Sequence, residues 1–470
     1  MQLSKSAKKI YFLGIKGVAM SGLAIIFKQM GYDVAGSDVS EKFITDPVLI
    51  KNKIKIFQNF SAKNISEFNP DLVVVGTSFS NNNPEYDFVE KQSFDKLRTK
   101  KLKTVLESEL RGYVSQLKNT IAITGVHGKT TTTSCLAFMF KSLGLKPSYL
   151  FGSSKAYGLP ANGQWQDGKH FIVEGDEYVK SLKLNIAKFL DLKSKLTIIT
   201  SLEWEHVDVY KNLKSIENTF LKLINQTFKN KGKVIACSDW PSINKIIKNK
   251  KNIITYGLNS NANWQAYDIK YVKNLTEFKI KKNKKYYGRF KTRLAGDHNV
   301  LNALACIIVC DINKISKARI AKVLVDFKGV ERRMTIANKK GIQFIDDYAH
   351  HPTEVRATLQ AIRQKFPKKY VRCVFQPHMV SRTKAFKKEF ATCFVDCNEV
   401  ILADIFASAR EKAKGITSKD IAKLASNHHL NIKYKGSLKN ISEYLTKEAC
   451  AGEVVAVMGA GDVYKIISNF

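Results

Sequence analysis

The stretch Ile121–Thr133, IAITGVHGKTTTT, determines how the rest of the chain is interpreted. Its apolar, β-branched start leads into a glycine-rich turn, a lysine and a run of threonines, which predicts a strand, a phosphate-binding loop and a helix. Gly125 and Gly128 would let backbone N–H groups close around phosphate oxygens. Lys129 would add a positive charge, and Thr130 a hydroxyl for Mg²⁺. The first glycine is displaced from the G-x-x-x-x-G-K-[ST] template, but TGVHGKT after a buried strand still predicts a nucleoside triphosphate site.

Length and charge limit the possible organisation and partners. The 470 residues predict roughly three domains, since domains usually have about 100–200 residues. The net charge of +36 raises nucleic acid or an anionic membrane as partners. Lysines occur in every region, however, and no basic arm or RGG tract stands out. We therefore interpret the charge as solvated surface lysine and expect no nucleic acid and no membrane partner.

The N-terminal sequence and the lack of a long apolar run predict a cytoplasmic protein, and the spacing of the cysteines does not indicate a metal site. The start, MQLSKSAKKIYFLG, lacks the apolar core of a signal peptide, and no run of about 18 apolar residues occurs. The eight cysteines are scattered, and the pairs Cys306/Cys310 and Cys393/Cys397 lie in apolar, helix-like segments. Without a C-x-x-C motif or a nearby histidine, these pairs predict buried free thiols rather than a zinc site.

A Rossmann-like unit is predicted at residues 1–102. KIYFLGIKGVAMSG, residues 9–22, combines a strand, a glycine-rich turn and a helix, although its glycine spacing does not match G-x-G-x-x-G. A second strand leads to Asp38, about 20 residues beyond the turn, where such folds contact a ribose or a base. The strand DLVVVGTS places Thr77 and Ser78 at the same sheet edge. We expect a nucleoside diphosphate group here; a plain βαβ unit with glycines in tight turns is the alternative.

The middle unit, residues 103–322, has acidic strand ends downstream of the phosphate loop. Glu174 begins EGDEY after one strand, and LEWEHVD, which contains His206, follows another. Oxygen ligands with an imidazole can hold Mg²⁺ between phosphates, so these strand ends predict a Mg·ATP site. Asn299 and Asn302 share one face of a predicted helix, which suits either a base edge or helix capping.

The third unit, residues 323–470, alternates strands and helices again. Its strand ends carry GVERR, DDYAHHPTE, FQPHMVSR and GAGD. In a doubly wound sheet these ends meet at one edge. Their histidines, arginines and aspartates would suit an anionic amino acid or a phosphate.

The motifs together resemble the Mur ligase family, whose members use ATP to form amide bonds in peptidoglycan precursor synthesis. The resemblance covers essentially the whole chain, in the family's order. It rests on GIKGVAMSG with GSD, TGVHGKTTTT, EGDEY, LEWEHVD, GDHNVLNALA, GVERR, DDYAHHPTEV, FQPHMVSRT and GAGD. It implies an α/β fold of three domains: a Rossmann-like UDP-binding domain, a central P-loop ATPase sheet and a C-terminal Rossmann-like domain that binds the amino acid.

The GIKGxxMSG loop, DDYxHHPTE and FQPH are most similar to family members that join L-alanine to the lactyl carboxylate of UDP-N-acetylmuramate. The resemblance therefore implies ATP with Mg²⁺ or Mn²⁺ as cofactors, UDP-N-acetylmuramate and L-alanine as substrates, and an acyl phosphate intermediate. Catalysis in such a reaction is mostly positioning and charge neutralisation. We expect a monomer or a weak homodimer.

The resemblance also implies site residues in each domain. Lys129, Glu174 and His206 would be catalytic, and the metal ligands would be Thr130, Glu174 and His206. ATP would contact Gly125, His127, Gly128, Lys129, Thr130, Thr131, Asn299, Arg332 and Asp347. The UDP substrate would contact Gly14, Lys16, Gly17, Met20, Ser21, Asp38, Thr77 and Ser78. L-Alanine would contact Tyr348, His351, His378 and Arg382, although the sequence does not decide between His350 and His351.

Two alternatives stay open at this point. A ligase that recycles murein tripeptide onto UDP-N-acetylmuramate shares EGDEY-like and EHxDxY-like strings. Met379, where an arginine is common, puts one contact to the substrate carboxylate in question, and EGDEY in place of a form with serine favours the tripeptide alternative. A nucleic-acid-dependent ATPase, suggested by the charge and the phosphate loop, is more distant.

Overall fold

Three main β-sheets, one in each predicted unit, organise the computed structural model, which describes residues 7–77, 83–94, 102–181, 184–407 and 415–470. The prediction of three α/β domains is confirmed. Within the described ranges, no helix combines the length and apolar character that crossing a membrane requires.

The N-terminal domain is a parallel five-stranded sheet flanked by helices. Its central strands are buried on both faces, as apolar runs such as LVVV predict. The elements are β1 (Lys9–Leu13), α1 (Val18–Gln29), β2 (Asp33–Ser37), α2 (Asp46–Lys51), β3 (Lys55–Phe57), α3 (Ala62–Phe68), β4 (Leu72–Val75), α4 (Pro84–Phe94) and β5 (Lys103–Leu106). The strand order is β3-β2-β1-β4-β5, so this sheet extends to residue 106, beyond the predicted boundary at 102.

The middle domain is a ten-stranded mixed sheet. Its elements are α5 (Glu107–Gln116), β6 (Asn119–Thr124), α6 (Lys129–Ser142), β7 (Ser148–Leu150), β8 (Gly163–Gln164), β9 (His170–Glu174), β10 (Val179–Ser181), β11 (Leu184–Ala187), β12 (Leu196–Ile199), α7 (Leu213–Lys229), β13 (Lys233–Cys237), α8 (Pro241–Ile247), β14 (Ile253–Gly257), β15 (Trp264–Val272), β16 (Leu275–Lys282), β17 (Lys285–Thr292), α9 (Asp297–Ile312) and α10 (Lys317–Asp326).

The order of this sheet positions the phosphate loop. It runs β17-β16-β15-β14-β13-β12-β6-β9-β7-β8, while β10 and β11 form a separate hairpin. Strand β6 pairs in parallel with β9 on one side and β12 on the other. The carboxyl ends of these three strands therefore meet at one edge, which brings the phosphate loop, EGDEY and LEWEHVD together.

The C-terminal domain is a six-stranded sheet in the order β18-β19-β23-β20-β21-β22, parallel except for β18. Its elements are β18 (Thr335–Lys339), β19 (Ile342–Asp347), α11 (Pro352–Lys365), β20 (Val371–Phe375), α12 (Val380–Ala385), α13 (Lys387–Thr392), β21 (Glu399–Ala403), α14 (Ser418–Ala425), β22 (Ile432–Gly436), α15 (Leu438–Glu448), β23 (Val454–Met458) and α16 (Lys465–Ser468).

One hydrophobic core is continuous between the N-terminal and middle domains. Helix α1 lies against β7 and β8 with almost no space between the backbones. A Cβ atom on Gly163 would lie 2.1 Å from the carbonyl oxygen of Gly22, and one on Gly22 would lie 2.3 Å from Leu150. The C-terminal domain has separate cores on the two faces of its sheet, and Trp204 and Val207 of the middle domain pack against one of them.

The cysteines are unbonded, and all except Cys450 are buried. Cys306 and Cys310 lie one turn apart in α9, as the sequence predicts. Helix α13 stops at Thr392, so Cys393 lies at its C-terminal cap and Cys397 in the turn that follows.

Candidate active site

The phosphate loop links the end of β6 to the start of α6 at the centre of the middle sheet. Gly125 has a φ of 128° and Gly128 a φ of 80°, both in the region that favours glycine. A Cβ on Gly125 would lie 2.3 Å from Thr200 Oγ1, and one on Gly128 would lie 2.5 Å from Asn302 Oδ1. The path of the loop between β12 and α9 therefore requires both glycines.

Lys129 lies with its ammonium against this loop. Its Nζ donates to the carbonyl oxygens of Gly125 and Val126 at 2.6 and 3.0 Å, and it lies 2.9 Å from Glu177 Oε2. Burial lowers the pKa of Lys129, but the charges of Glu177 and Glu174 outweigh burial and raise it overall. The ammonium is therefore charged and held at the loop, as polyphosphate binding requires.

Glu177 also contacts His206, whose Nε2 lies 3.0 Å from Glu177 Oε1. His206 has a φ of 52°, which is uncommon for a residue other than glycine. Burial lowers the pKa of His206, but Glu177 raises it overall. The ligand atoms of Asp176, Glu177 and His206 all lie within 4.8 Å of one another. Two carboxylates and an imidazole form a donor set that fits Mg²⁺ or Mn²⁺.

Thr130 and Glu174 form a second set of oxygen donors. Thr130 Oγ1 donates to Glu174 Oε1 at 3.0 Å, and the Gly152 N–H donates to Glu174 Oε2 at 2.7 Å. Burial raises the pKa of Glu174, and Lys129 opposes this shift. The structure thus brings Thr130 and Glu174 together, while the third predicted metal ligand, His206, contacts Glu177 instead. Both sets fit the ion that the sequence predicts.

His127 lies between two carboxylates from different domains. Its Nε2 contacts Glu203 Oε1 of the middle domain, and its Nδ1 lies 2.9 Å from Glu354 Oε1 of the C-terminal domain. Burial lowers the pKa of His127, but Glu354 and Glu203 raise it overall to about 10. An imidazolium here joins the phosphate loop to the C-terminal domain. Thr131, the other loop neighbour predicted to contact ATP, is buried at the cavity wall.

The N-terminal turns of α9 form another wall. Asn302 Oδ1 accepts from Thr132 Oγ1 at 3.1 Å, and Asn302 Nδ2 donates to Asn299 Oδ1 at 3.2 Å. Asn299 Nδ2 donates to the carbonyl oxygen of Ala295 at 2.7 Å and to His298 Nε2 at 3.0 Å. The predicted face shared by Asn299 and Asn302 is therefore present, and it lines the cavity beside the phosphate loop.

Arg332 and Arg333 flank the ring of Tyr348 at 5.0 and 5.2 Å, but their guanidinium groups differ. Arg332 donates to the carbonyl oxygens of Gly459 and Gly461 at 2.8 and 3.3 Å. Among the described residues, no hydrogen-bond acceptor or ion-pair partner holds the Arg333 guanidinium, which lines the cavity. Arg333 is therefore better placed than Arg332 to contact an anionic ligand.

Asp347, predicted to contact ATP, is buried at the end of β19. Its carboxylate accepts the backbone N–H groups of Met334 and Ala349, each at 2.8 Å. Burial raises the pKa of Asp347, and the charge of Arg333 opposes this shift. Asp347 therefore shapes the turn that presents Arg333 as well as lining the cavity.

The structure distinguishes the two neighbouring histidines. His350 lines the cavity, whereas His351 is 3% exposed and caps α11 by accepting the Thr353 N–H at 3.3 Å. Glu354 accepts the backbone N–H of His350 at 3.0 Å and that of His351 at 3.3 Å. His350 therefore lines the cavity while His351 caps α11, a distinction that the sequence did not decide.

Arg382 and His378, predicted to contact L-alanine, lie at the contact between two domains. Arg382 Nε donates to Glu205 Oε1 at 2.9 Å, and Nη2 contacts the same oxygen. Its Nη1 lies 3.1 Å from His378 Nδ1, and the His378 ring stacks on Phe406 at 5.7 Å. Neither His378 nor Arg382 is among the described residues that line the cavity, and the Arg382 charge is already paired with Glu205.

The loop after β1, predicted to bind the UDP substrate, is held by its own buried side chains. Gly14 has a φ of 82°, and Gly17 caps α1. Lys16 is 1% exposed, and its Nζ donates to three oxygens, of Val39, Glu41 and Gln58, at 2.7–2.9 Å. Asp38 accepts the backbone N–H groups of Lys16 and Val39 at 2.8 and 2.9 Å. Lys16 and Asp38 therefore hold the loop itself.

Ser21 and Thr77, also predicted to contact the UDP substrate, form hydrogen bonds with the middle domain. Met20 is buried, and Ser21 Oγ accepts from Asn162 Nδ2 at 3.1 Å. Thr77 Oγ1 donates to the carbonyl oxygen of Lys180 at 3.4 Å. Ser78 lies outside the described residues.

A cavity of about 760 Å³ is lined by residues of all three domains. The N-terminal domain contributes Val18, Ala19 and Ile44 to its wall, and the middle domain contributes the phosphate loop and the acidic strand ends. The C-terminal residues in the wall include Arg332, Arg333, Asp347, Tyr348, His350 and Glu354.

The fold and the cavity define a three-domain α/β protein whose phosphate loop lies in the wall of a cavity that all three domains line. Family models match all three domains: the Mur ligase family catalytic domain at residues 9–103, the Mur ligase middle domain at 123–310 and the Mur ligase glutamate ligase domain at 332–461. The chain belongs to the Mur ligase family.

Individual relatives match over nearly the full length. The UDP-N-acetylmuramate–L-alanine ligase of Clostridium tetani is 38% identical over 98% of this chain and 97% of its own. That of Acetivibrio thermocellus is 36% identical over 98% and 95%. The crystal structure of the UDP-N-acetylmuramate–alanine ligase of Thermotoga maritima is 25% identical, covers 98% of both chains and has a TM-score of 0.80. A murein peptide ligase from Psychrobacter arcticus, 20% identical over 98% of both chains, shares the fold with a TM-score of 0.70.

Sequence reasoning missed several charged residues that the structure brings to the site. Asp176 and Glu177 lie in the quoted EGDEY motif, and Glu203 and Glu205 lie in LEWEHVD. Their presence in these motifs was the available signal. Arg333 had no such signal, because adjacent arginines in GVERR are equivalent until the turn that separates them is known.

Proposed function

We propose that the chain is an ATP-dependent ligase that joins L-alanine to the lactyl carboxylate of UDP-N-acetylmuramate, releasing ADP and phosphate in peptidoglycan precursor synthesis. The observation that carries the proposal is the single cavity bordered by all three domains, with the phosphate loop in its wall. An acid, a triphosphate and an amine must meet for such a reaction. Full-length relatives named for this reaction support the choice of acid and amine.

The first step activates the carboxylate, which alone is a poor electrophile. Its oxygen attacks the γ-phosphorus of ATP, and ADP leaves with the electrons of the broken P–O bond, giving an acyl phosphate. Lys129 would neutralise the phosphate oxygens from the loop, and Arg333 would do so from the C-terminal domain. Closure of that domain would bring Arg333 to the nucleotide and exclude water.

Two groups of side chains would hold Mg²⁺ or Mn²⁺. One consists of Thr130 and Glu174, and the other of Asp176, Glu177 and His206. The bound ion would neutralise charge on the phosphates during transfer. Because Lys129 contacts Glu177, phosphate binding would draw the ammonium away and leave that carboxylate for the ion.

The second step forms the amide. The amine of L-alanine attacks the acyl carbon, and phosphate leaves. Tyr348 and His350 would line the amino-acid position, with His378 and Arg382 completing its outer side if L-alanine displaces part of the Arg382–Glu205 pair. The UDP group would lie beside the turn Gly14–Gly17 near Thr77.

A coupled assay tests the proposal. ADP release is measured with UDP-N-acetylmuramate and either L-alanine, glycine, L-serine or the murein tripeptide, with Mg²⁺ or Mn²⁺. We expect turnover that requires UDP-N-acetylmuramate and prefers L-alanine. Turnover with the tripeptide only would show that the tripeptide, not L-alanine, is the amine substrate. ATP hydrolysis stimulated by DNA or RNA, with a steep salt dependence, would show that the protein is a nucleic-acid-dependent ATPase instead of a ligase.

We further propose a cytoplasmic location, where ATP and the UDP substrate are available. We also propose a monomer or weak homodimer, which light scattering would measure.

A further inference from the structure

We infer that His350 is a catalytic residue that accepts a proton from the amine nucleophile, oriented by Glu354. This inference rests on the proposed ligation. L-Alanine carries three ammonium protons, and the amide product retains one on nitrogen. A base that removes the first proton would therefore produce the nucleophile inside the closed cavity.

The surroundings of the His350 ring fix its tautomer. Nδ1 lies 3.0 Å from the carbonyl oxygen of Tyr348 and 3.3 Å from Glu354 Oε2. Both atoms are hydrogen-bond acceptors, so Nδ1 carries the proton and Nε2 carries the lone pair. No described residue forms a hydrogen bond with Nε2, and the ring lines the cavity with its side chain 18% exposed.

Glu354 contacts both the backbone of His350 and the phosphate loop. Its Oε2 accepts the backbone N–H of His350 at 3.0 Å, and its Oε1 lies 2.9 Å from His127 Nδ1 of the phosphate loop. A carboxylate behind the proton-bearing nitrogen holds an imidazole in place and stabilises the imidazolium that forms. The same carboxylate therefore couples the position of the base to the phosphate loop, where the acyl phosphate would form.

The charges around the ring decide its protonation. Burial lowers the pKa of His350 to about 3, so the ring is neutral in the empty cavity. The α-carboxylate of bound L-alanine would add a negative charge and raise this pKa towards the working range. The charged and titratable groups that face the ring from all packed elements are Glu354, Arg382, Glu205, His378 and Tyr348.

His350 Nε2 accepts one ammonium proton and passes it to solvent. The nitrogen lone pair then forms the C–N bond, and the C–O bond to phosphate breaks with its electron pair on oxygen. The second nitrogen proton leaves with the phosphate, which departs as HPO₄²⁻.

Replacing L-alanine with hydroxylamine as the nucleophile distinguishes proton removal by His350 from activation of the carboxylate and from binding of L-alanine. Its nitrogen is neutral near pH 7, so it traps an acyl phosphate as hydroxamate without a base. In His350→Gln we expect ligation of L-alanine to fall about 100-fold in kcat, consistent with loss of a general base. Hydroxamate formation should change less than about threefold, and the deficit with L-alanine should shrink as pH rises towards the pKa of its amine. His428→Gln, which removes an exposed histidine of the same domain, is the matched control.

Three results would decide against the inference. A rise in KM for L-alanine with unchanged kcat would make His350 a binding residue only. A deficit that is independent of pH, or a parallel loss of hydroxamate, would assign it a structural or activating role. If the wild-type enzyme forms no hydroxamate from UDP-N-acetylmuramate and ATP, the proposed ligation itself fails. Glu354→Gln should show a weaker form of the same pH-dependent deficit, which Glu354→Asp should partly restore.

Discussion

Lys129 supplies the positive charge of the phosphate loop, while the proposed UDP position lies in another domain. Lys129→Ala should therefore abolish ligation and leave the affinity for UDP-N-acetylmuramate within about twofold. Loss of one charge-stabilising group typically costs about 10²–10³ in rate. Coupled ADP release and calorimetric titration of the UDP substrate measure the two properties. The control is Lys222→Ala, an exposed lysine of α7. A parallel loss of UDP-substrate affinity would contradict the domain assignment.

Arg333 and Arg332 are expected to have different roles. Arg333→Ala should lower kcat/KM for ATP by about 10²-fold, because a cavity-facing charge is lost. Arg332→Ala should chiefly lower the midpoint of urea unfolding, because its guanidinium holds the carbonyl oxygens of Gly459 and Gly461. Steady-state kinetics and urea titration of both variants distinguish the roles. The reverse pattern would restore the original prediction of Arg332 as the ATP contact.

Residues were predictable where a local motif fixes their chemistry. Thr130 contacts Glu174 and Lys129 contacts Glu177, because a phosphate loop and a neighbouring strand end determine their places. Lys16 and His351 use polar atoms to hold nearby backbone groups. Whether a polar side chain reaches a ligand or satisfies its own loop depends on backbone turns that the sequence does not state.

The start of helix α9 makes stability depend on pH. His298 Nε2 accepts from Asn299 Nδ2 at 3.0 Å, and burial lowers the pKa of His298 to about 4. The ordinary histidine pKa is about 6.5, so as pH falls the unfolded chain binds this proton first. Stability is therefore present above about pH 6.5 and is lost as pH falls towards 4.

His298→Gln should lose less stability over that range than the wild type, by about 2 kcal/mol. Glutamine keeps an acceptor for Asn299 but does not titrate. Urea unfolding at about pH 7 and pH 4.5 measures the difference, with His428→Gln as a control that keeps the wild-type slope. Equal pH slopes for the wild type and His298→Gln would show that another group dominates.

The type of these secondary structure elements and their approximate limits could be predicted from the sequence. The strand Val371–Phe375 and the helix after Gly17 lie where apolar runs and glycines indicate. The ends differ where side chains cap or extend an element. Helix α7, for example, begins at Leu213 because Asn212 caps it.

A buried ion pair between Glu205 and Arg382 links the middle and C-terminal domains. Glu205→Gln would leave the Arg382 charge buried without its partner, which typically costs about 3–5 kcal/mol. We expect a lower urea midpoint and weaker ATP binding. Adding Arg382→Met should recover part of the lost stability in a double-mutant cycle. Additive losses would mean that the two side chains contribute independently.

How the domains meet could not be predicted from the sequence. The order of motifs indicates three units, but the contacts of Glu203 with Thr353 and of Trp204 with Phe386 join residues far apart in the chain. Such contacts depend on the relative placement of domains, for which a single sequence carries no local pattern.

The core shared by the N-terminal and middle domains has a consequence for the way the chain unfolds. Because α1 contacts β8 backbone to backbone at Gly22 and Gly163, these two domains should melt as one cooperative unit. The C-terminal domain, whose cores are separate, should melt as a second unit. Scanning calorimetry should therefore resolve two transitions, and Gly163→Val should lower only the one assigned to the larger unit. Three transitions would show that the N-terminal domain is thermodynamically independent.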